Sequence, residues 1–254
     1  MIQIAVSGIT GRMGQTIAKA VFADKQTTLS VALARSGCKQ LKWYVTKLGI
    51  PTEQSVKITD ILKSDTNFDV LIDFTLPAIT NTYVQACLDF LKPIVIGTTR
   101  LSQQQQDTLQ KAARYIPILY APNMSLGMNL CFQLVKQCAK SIDLNWHIAV
   151  SEVHHYHKKD VPSGSALQLA NVITENSAFP HESIQFNSIR AGDVTGDHTV
   201  LFTHEGERIE ITHRTSSRIA FAKGAIIAAK WLLNKNPGFY TMQDIIHSKK
   251  YNNC

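Results

Sequence analysis

Residues 152–166 (EVHHYHKKDVPSGSA) concentrate side chains that can bind an anion and transfer a proton. Three histidines and two lysines precede Pro-Ser-Gly-Ser, and apolar positions then recur at helical spacing. The free N–H groups at a helix start favour a negative charge, histidine transfers protons near neutral pH, and lysine adds a fixed positive charge. The segment therefore predicts a site that binds a carboxylate or phosphate and protonates a group beside it.

The residues alone leave three other interpretations of this segment open. Ser163 or Ser165 could be an ordinary helix N-cap, and the whole stretch could be a solvated polar loop. His154 and His157 have a spacing that metal ligands use, but no nearby cysteine or paired carboxylate completes a ligand set. We therefore expect no metal.

The amino terminus has the pattern of a strand, a glycine-rich turn and an amphipathic helix. Residues 8–14 (GITGRMG) follow an apolar run, and Ile17, Ala18 and Val21 then recur at helical spacing. This G-x-x-G-x-x-G spacing is a variant of the dinucleotide fingerprint, in which the glycines allow a tight turn and close approach of a pyrophosphate. An ordinary strand–helix turn is the alternative. The predicted cofactor-binding residues are Gly8, Ile9, Thr10, Gly11, Arg12, Met13 and Gly14.

The end of the second predicted strand, residues 29–34, indicates which dinucleotide binds. NAD-binding proteins place a carboxylate there for the ribose 2′-hydroxyl, whereas this strand ends in Ala34 and Arg35. Arginine suits a 2′-phosphate, so we expect NADPH to be preferred, with NADH possible. An exposed Arg35 without a ligand is the alternative interpretation.

Strands and helices alternate through the first half, which predicts an α/β fold with a parallel sheet and ligands at the carboxyl ends of its strands. We place a helix over residues 81–91 and bury Trp43 and Tyr44 on a short helix. Two further strand ends carry small or amide-bearing residues that suit a cofactor: Gly97, Thr98 and Thr99, then Ala121, Pro122, Asn123 and Met124.

The pattern changes near residues 123–127, where we place a domain boundary. Beyond it come two helices and several strands separated by glycines, which predicts an α+β domain built around a different sheet.

Composition excludes several classes of protein. The 254 residues are 44% hydrophobic, which is enough for a substantial core. No apolar run is long enough for a membrane span, and the start lacks the features of a signal peptide. The formal charge of +7 is spread along the chain without a nucleic-acid recognition motif. Five scattered cysteines suit reduced thiols in a cytoplasmic protein: Cys38, Cys87, Cys131, Cys138 and Cys254.

Taken together, these segments resemble the 4-hydroxy-tetrahydrodipicolinate reductase family, also called the dihydrodipicolinate reductase family. The resemblance runs nearly end to end. It is carried by residues 8–14 (GITGRMG), 72–75 (IDFT), 96–99 (IGTT), 121–125 (APNMS), 154–158 (HHYHK), 160–166 (DVPSGSA), 190–198 (RAGDVTGDH) and 210–213 (EITH).

The resemblance implies hydride transfer from NADPH or NADH to a small cyclic dicarboxylate with loss of water, giving tetrahydrodipicolinate. It implies that His154 is the proton donor, that Lys158 assists it, and that His155, Gly164 and Ser165 hold a substrate carboxylate. The implied architecture is a Rossmann-like dinucleotide-binding domain, residues 1–124 plus 218–254, with an inserted α+β substrate and oligomerisation domain, residues 125–217. That inserted domain would close over the cofactor, and its sheet would form the interface of a homotetramer.

The chain departs from the family pattern at several places. Ala34 replaces the usual carboxylate, Ser165 replaces threonine, Met124 replaces phenylalanine, and residues 36–57 lack the glycine-rich pattern. Two other classes remain as alternatives. Another dehydrogenase would need a catalytic cysteine or a different lysine–acid pair, and a non-catalytic redox sensor would not need His154 and Lys158 together.

Overall fold

The computed structural model describes residues 1–52, 54–63 and 65–248, so Cys254 lies outside the described residues. The chain divides into two compact units. One comprises Met1–Ser125 together with the chain from Ile219, and the other is Leu126–Arg218. None of the described helices is both long and apolar enough to cross a membrane.

The first unit is built on a seven-stranded sheet in the order β11-β6-β5-β4-β1-β2-β3, in which every pairing is parallel. Elements are numbered along the chain. The strands are β1 Ile2–Ser7, β2 Thr27–Leu33, β3 Ile58–Thr59, β4 Val70–Asp73, β5 Ile94–Ile96, β6 Pro117–Tyr120 and β11 Gly238–Tyr240. The helices are α1 Arg12–Ala23, α2 Pro77–Asp89, α3 Gln103–Ala112, α6 Ile219–Leu232 and α7 Met242–His247. The predicted α/β class with a parallel sheet is confirmed.

Burial explains the sequence pattern of this sheet. Strands β4 and β5 are buried along their whole length, as parallel strands covered on both faces must be. Helix α1 buries Ile17, Ala18 and Val21, the positions that its periodicity indicated, and α6 packs against α1 and against the sheet. The parallel pairing brings the carboxyl ends of the strands to one edge, which is where ligands bind in such sheets.

Two local predictions were wrong. Helix α2 begins at Pro77 and ends at Asp89, earlier than predicted, because proline fits the first helical position, where its missing N–H is not needed. Trp43 and Tyr44 are not buried: they precede a 3₁₀ turn at Val45–Leu48 and are 40% and 41% exposed. Lys47 lies over the ring of Trp43 and Lys57 over that of Tyr44, so both rings lie against lysine side chains at the surface.

The second unit has a four-stranded mixed sheet in the order β10-β9-β7-β8. Its strands are β7 His147–His154, β8 Gln185–Arg190, β9 Gly196–His204 and β10 Glu207–Thr215, and its helices are α4 Leu126–Ala139 and α5 Gly164–Thr174. Only β7 and β8 are parallel. One face packs on α4 and α5 around a core that includes Phe132, Val150, Leu169 and Phe202. Residues 152 and 154 of β7 belong to this buried face because side chains alternate along a strand.

Candidate active site

The turn between β1 and α1 has the geometry of a phosphate-binding loop. Gly8 has a φ of +67°, a conformation that L residues rarely adopt. A Cβ added to Gly14 would lie 2.1 Å from the carbonyl oxygen of Gly8, so the helix can approach the turn only because residue 14 is glycine. Gly11 is the N-cap of α1 and provides no side-chain cap, which leaves the first-turn N–H groups of the helix available to an anion.

The other residues of this turn divide by exposure. Ile9 is fully buried, and its N–H donates to the carbonyl of Leu33 at 3.0 Å, which ties the turn to β2. Thr10 and Met13 are partly exposed and Arg12 is exposed. The turn is therefore anchored by its backbone, while its polar side chains remain accessible.

The end of β2 presents Arg35 to solvent. Ala34 is buried and its N–H donates to the carbonyl of Thr59 at 2.9 Å, so the side chain of Arg35 is the first exposed one after the strand. It is a guanidinium at the carboxyl edge of the parallel sheet, next to the strand that leads into the glycine turn.

Asp73, at the end of β4, connects three strand ends of this edge. Its carboxylate is fully buried and accepts hydrogen bonds from Ser7 Oγ at 2.5 Å, Thr75 Oγ1 at 2.7 Å, Thr80 Oγ1 at 3.0 Å and Thr98 Oγ1 at 3.1 Å. Ser7 precedes the glycine turn and Thr98 belongs to the segment after β5. The positions of two predicted cofactor-binding segments are thus set by one buried carboxylate, which the sequence reasoning did not identify.

The segment after β5 is closely packed. A Cβ added to Gly97 would lie 2.2 Å from the ring of Phe74, so the glycine allows the aromatic ring to lie against the backbone. Thr98 is buried and its Oγ1 also accepts the N–H of Thr75 at 3.1 Å, whereas Thr99 is exposed. Of these two hydroxyls, only that of Thr99 is free to face a ligand.

The segment after β6 is fixed by helix α6. A Cβ on Gly224 would lie 1.8 Å from the carbonyl oxygen of Met124, so the helix contacts this backbone directly. Ala121 and Met124 are buried, Pro122 is exposed, and Asn123 accepts the N–H of Ser125 at 2.9 Å through its side-chain oxygen.

In the second unit, His154 and Glu152 form a buried pair. Both lie on the inner face of β7, two residues apart, and Nδ1 of His154 contacts Oε2 of Glu152. The side chain of His154 is 8% exposed and that of Glu152 is fully buried. Because a carboxylate can only accept, Nδ1 carries the hydrogen and Nε2 is the ring nitrogen that faces away from the carboxylate.

Three further residues surround this pair. Arg190, at the end of β8, donates to Oε1 of Glu152 at 2.7 Å and to the carbonyl of Asp160 at 2.6 Å. The N–H of Ser163 reaches the same Oε1 at 3.2 Å. His198 lies opposite Glu152 on β9, and its ring is 5.0 Å from that of His154.

Burial and neighbouring charges set the ionisation of these groups. Burial alone would raise the pKa of Glu152, but hydrogen bonds from Arg190 and Ser188 and the nearby positive charges lower it below its ordinary value. Burial lowers the pKa of His154 below its ordinary value. The carboxylate of Glu152 raises this pKa, whereas the positive charges of Lys158 and Arg190 lower it further. Burial and the neighbouring His154 lower the pKa of His198 to about 3. At neutral pH the cluster therefore holds one carboxylate and two neutral imidazoles.

Lys158 and His155 lie in the loop that follows β7. Nζ of Lys158 is 2.9 Å from Oδ2 of Asp160, and both side chains are partly exposed. The N–H of Lys158 donates to the carbonyl of His155 at 3.1 Å, and the N–H of His155 donates to the carbonyl of Val194 at 2.7 Å. The loop is thus held by its backbone, and it carries a partly exposed ammonium group that is paired with Asp160.

Helix α5 begins at Gly164, directly after this loop. Ser163 is the N-cap, and its Oγ accepts the N–H of Ala166 at 3.2 Å, so of the two serines considered it is Ser163 that caps the helix. Gly164 is exposed, and a Cβ placed there would meet no atom within 4 Å. Ser165 is partly exposed in the first turn of the helix. The helix start therefore has open space beside its first N–H groups, as an anion site requires.

The side chains of His198 and Glu152 lie next to that of His154. The sequence analysis predicted a functional role for neither His198 nor Glu152. Alternation along β7 could have indicated Glu152, because it shares a strand face with His154. Donor atoms of the three side chains lie within 4.8 Å of one another. Both oxygens of Glu152 are already engaged, by Arg190 and by His154, so we interpret the cluster as a hydrogen-bonded network and assign no metal to it. His157, the other histidine once considered for a metal, is exposed.

Comparison with known protein families accounts for both units. Residues 2–124 match the family model described as dihydrodipicolinate reductase, N-terminus, and residues 127–246 match that of dihydrodipicolinate reductase, C-terminus. The chain belongs to the dihydrodipicolinate reductase family. The resemblance drawn from the sequence is thereby confirmed.

Relatives and solved structures agree with this membership. A protein named 4-hydroxy-tetrahydrodipicolinate reductase from Pseudoalteromonas atlantica is 39% identical over 264 residues, covering 97% of this chain and 99% of its own length. Another of the same name from Chromohalobacter salexigens is 39% identical, covering 98% and 100%. The dipicolinate-bound dihydrodipicolinate reductase of Paenisporosarcina sp. TG-14 has the same fold, with a TM-score of 0.81 at 22% identity, covering 96% of this chain and 99% of that chain.

A dihydrodipicolinate reductase of this kind is an oxidoreductase that uses a nicotinamide cofactor. The glycine turn, the uncapped start of α1 and the Asp73-anchored strand ends fit a dinucleotide at the edge of the parallel sheet. The alternative of a dehydrogenase with a nucleophilic cysteine finds no support on α4: burial raises the pKa of Cys131 to about 11, and it also raises that of Cys138.

Proposed function

We propose that this protein is a 4-hydroxy-tetrahydrodipicolinate reductase, which reduces a small cyclic dicarboxylate with loss of water to give tetrahydrodipicolinate. The observation that carries the proposal is the His154–Glu152 pair, which lies in the strand and loop leading to the open N-terminus of α5. A proton donor and an anion-binding helix start are thereby supplied by one short stretch of chain. The name carried by relatives at 39% identity supports the same activity.

In this proposal each residue has a defined task. The first-turn N–H groups at Gly164 and Ser165, with His155 and Lys158, bind and orient the ring carboxylates. When bound, the reduced nicotinamide supplies the hydride. In its protonated form, which carries hydrogen on both ring nitrogens, His154 delivers the proton of Nε2 to the ring, since added hydride leaves electron density that an acid must neutralise. The ring hydroxyl leaves as water together with a hydrogen from the neighbouring ring carbon, and one hydride and one proton enter the ring.

The cofactor preference is a further part of the proposal. We assign NADPH as the preferred cofactor and NADH as a weaker one, because Arg35 is exposed at the end of β2 and no carboxylate replaces Ala34. The proposed cofactor contacts are the turn residues Gly8, Ile9, Thr10, Gly11, Arg12, Met13 and Gly14, and the strand-end residues Gly97, Thr98, Thr99, Ala121, Pro122, Asn123 and Met124.

The domain roles and assembly complete the proposal. The unit containing the parallel sheet would bind the dinucleotide, and the unit containing the mixed sheet would bind substrate and form a homotetramer. The sheet face opposite α4 and α5 carries Val153, Ile189 and Leu201, of which Ile189 is 43% exposed. Light scattering of the purified protein would test the homotetramer, with the mass of four chains expected.

A cytoplasmic location fits the free cysteines among the described residues.

The activity is tested by supplying the condensation product of pyruvate and aspartate semialdehyde and following NADPH oxidation. We expect oxidation that depends on both components of the condensation. Oxidation that is absent with this substrate, although the protein binds NADPH, would contradict the proposal and favour a non-catalytic dinucleotide sensor.

A further inference from the structure

We propose that Glu152 is a positioning residue that holds two parts of the site together: the proton donor His154 and the start of the anion-binding helix α5. The inference rests on the proposed function and extends it to a residue whose side chain is fully buried. Glu152 would fix the orientation of the His154 ring and the proton that this ring carries.

The contacts of Glu152 divide between its two oxygens. Oε2 contacts Nδ1 of His154, whereas Oε1 accepts the guanidinium of Arg190 at 2.7 Å and the N–H of Ser163 at 3.2 Å. Ser163 is the N-cap of α5, so the helix start is bonded directly to the carboxylate that holds the imidazole. Displacement of either part would break a buried, charge-assisted hydrogen bond.

Arg190 extends this connection to the loop that carries Lys158. Its NH2 group binds the carbonyl of Asp160 at 2.6 Å as well as Glu152, and Nζ of Lys158 is 2.9 Å from the side chain of the same Asp160. The side chain of Arg190 is 14% exposed. The ammonium, the imidazole and the helix start therefore all have their positions set, directly or through Arg190, by one fully buried carboxylate.

The geometry also determines which ring nitrogen of His154 reacts. Glu152 accepts from Nδ1, so protonation of the neutral ring places the transferable proton on Nε2. Gly196 lies on that side: a Cβ there would be 2.9 Å from Nε2, and glycine keeps this position uncrowded. Free histidine in water favours hydrogen on Nε2 when neutral, so a ring with hydrogen on Nδ1 would be a direct signature of Glu152.

Glu152 has a second effect through its charge. Several charged or titratable groups surround His154, from its own strand, the following loop and the two neighbouring strands: Glu152, Lys158, Arg190 and His198. Among them only Glu152 raises the pKa of His154, against burial and two cations. Without its negative charge, His154 would lose its catalytic proton at a lower pH.

The decisive experiment compares the pH dependence of kcat in wild type, Glu152→Gln and a matched control, Glu175→Gln, which alters an exposed carboxylate in the same unit. At about pH 8 we expect Glu152→Gln to lower kcat roughly 10- to 100-fold, within the range that a general acid contributes, with partial recovery towards about pH 5, below the pKa of His154 in the wild type. Glu152→Asp, which keeps the charge, should recover part of the rate at alkaline pH. Glu175→Gln should match wild type.

Two outcomes would overturn the inference. One is a loss in Glu152→Gln that is the same at every pH, which a purely structural role predicts; the other is wild-type activity. If Glu152→Gln does not fold, the wild-type protein provides the test. The ¹⁵N resonances of its neutral His154 ring should then show hydrogen on Nδ1. Hydrogen on Nε2 would refute the inference. A failure of the proposed function is distinct, because wild type itself would then show no turnover.

Discussion

The hydroxyl of Ser163 lies 3.1 Å from Nε2 of His198, although the two residues belong to different elements, the cap of α5 and strand β9. Both residues are buried. The contact joins the helix start to the sheet, and burial together with the neighbouring His154 lowers the pKa of this imidazole.

This relationship predicts a loss of stability in mild acid. The pKa of His198 is about 3 in the folded protein and about 6.5 in the unfolded chain, so between these values the unfolded state binds an additional proton. The folded state is therefore favoured above about pH 6.5 and loses up to about 1.4 kcal/mol for each pH unit below it. Urea unfolding of wild type and His198→Asn between about pH 7 and pH 5 would measure this. The variant should show the shallower dependence, and equal slopes would contradict the prediction.

Replacing His154 by glutamine should separate chemistry from cofactor binding. Glutamine cannot supply a proton near neutral pH, so we expect kcat to fall by about 100-fold or more, the usual contribution of a general acid. NADPH affinity, measured by fluorescence titration, should stay close to wild type, because the proposed cofactor contacts belong to the unit with the parallel sheet. Unchanged turnover would remove His154 from the mechanism.

Arg35 should determine the preference between the two nicotinamide cofactors. Removing the guanidinium in Arg35→Ala should raise the KM for NADPH by roughly tenfold, the value of one charge-assisted contact to a phosphate, and leave the KM for NADH nearly unchanged. Lys25→Ala is the matched control, because it removes an exposed positive charge just before β2, at the opposite end of the same strand. Equal catalytic efficiency of the wild type with both cofactors would refute the assignment.

Gly164 and Gly224 should differ in what an added methyl group disrupts. In Gly164→Ala the Cβ would meet no protein atom within 4 Å, so the free energy of unfolding should stay unchanged. The KM for the dicarboxylate should rise, because the methyl group enters the space beside the helix start. In Gly224→Ala the Cβ would lie 1.8 Å from the backbone oxygen of Met124, and overpacking of this kind costs about 1–3 kcal/mol.

Denaturant unfolding together with steady-state kinetics on both glycine variants would check this contrast. A destabilised Gly164→Ala would indicate a packing role for that glycine. An unchanged KM in a stable Gly164→Ala would argue against substrate binding at the start of α5.

The sequence by itself determined the elements whose signals are local. The glycine turn, the alternation of strands and helices and the family motifs were readable because spacing and periodicity act over a few residues, and the parallel sheet followed from them. Boundaries were less well determined: the start of α2 depended on proline at the first helical position. Burial was also less well determined, since Trp43 and Tyr44 lie at the surface against lysine side chains.

Only the tertiary structure decided which residues surround His154, the proposed proton donor, and which of them are charged. Glu152 and His198 meet because β7 and β9 pair in one particular register, and Arg190 reaches the same carboxylate from β8. Asp73 likewise accepts hydroxyls from separate segments of the other unit. Burial and neighbouring charge set the pKa of a group, and both depend on contacts between residues distant in the sequence. The sequence could therefore predict a role for His154, but not the buried carboxylate that contacts its ring.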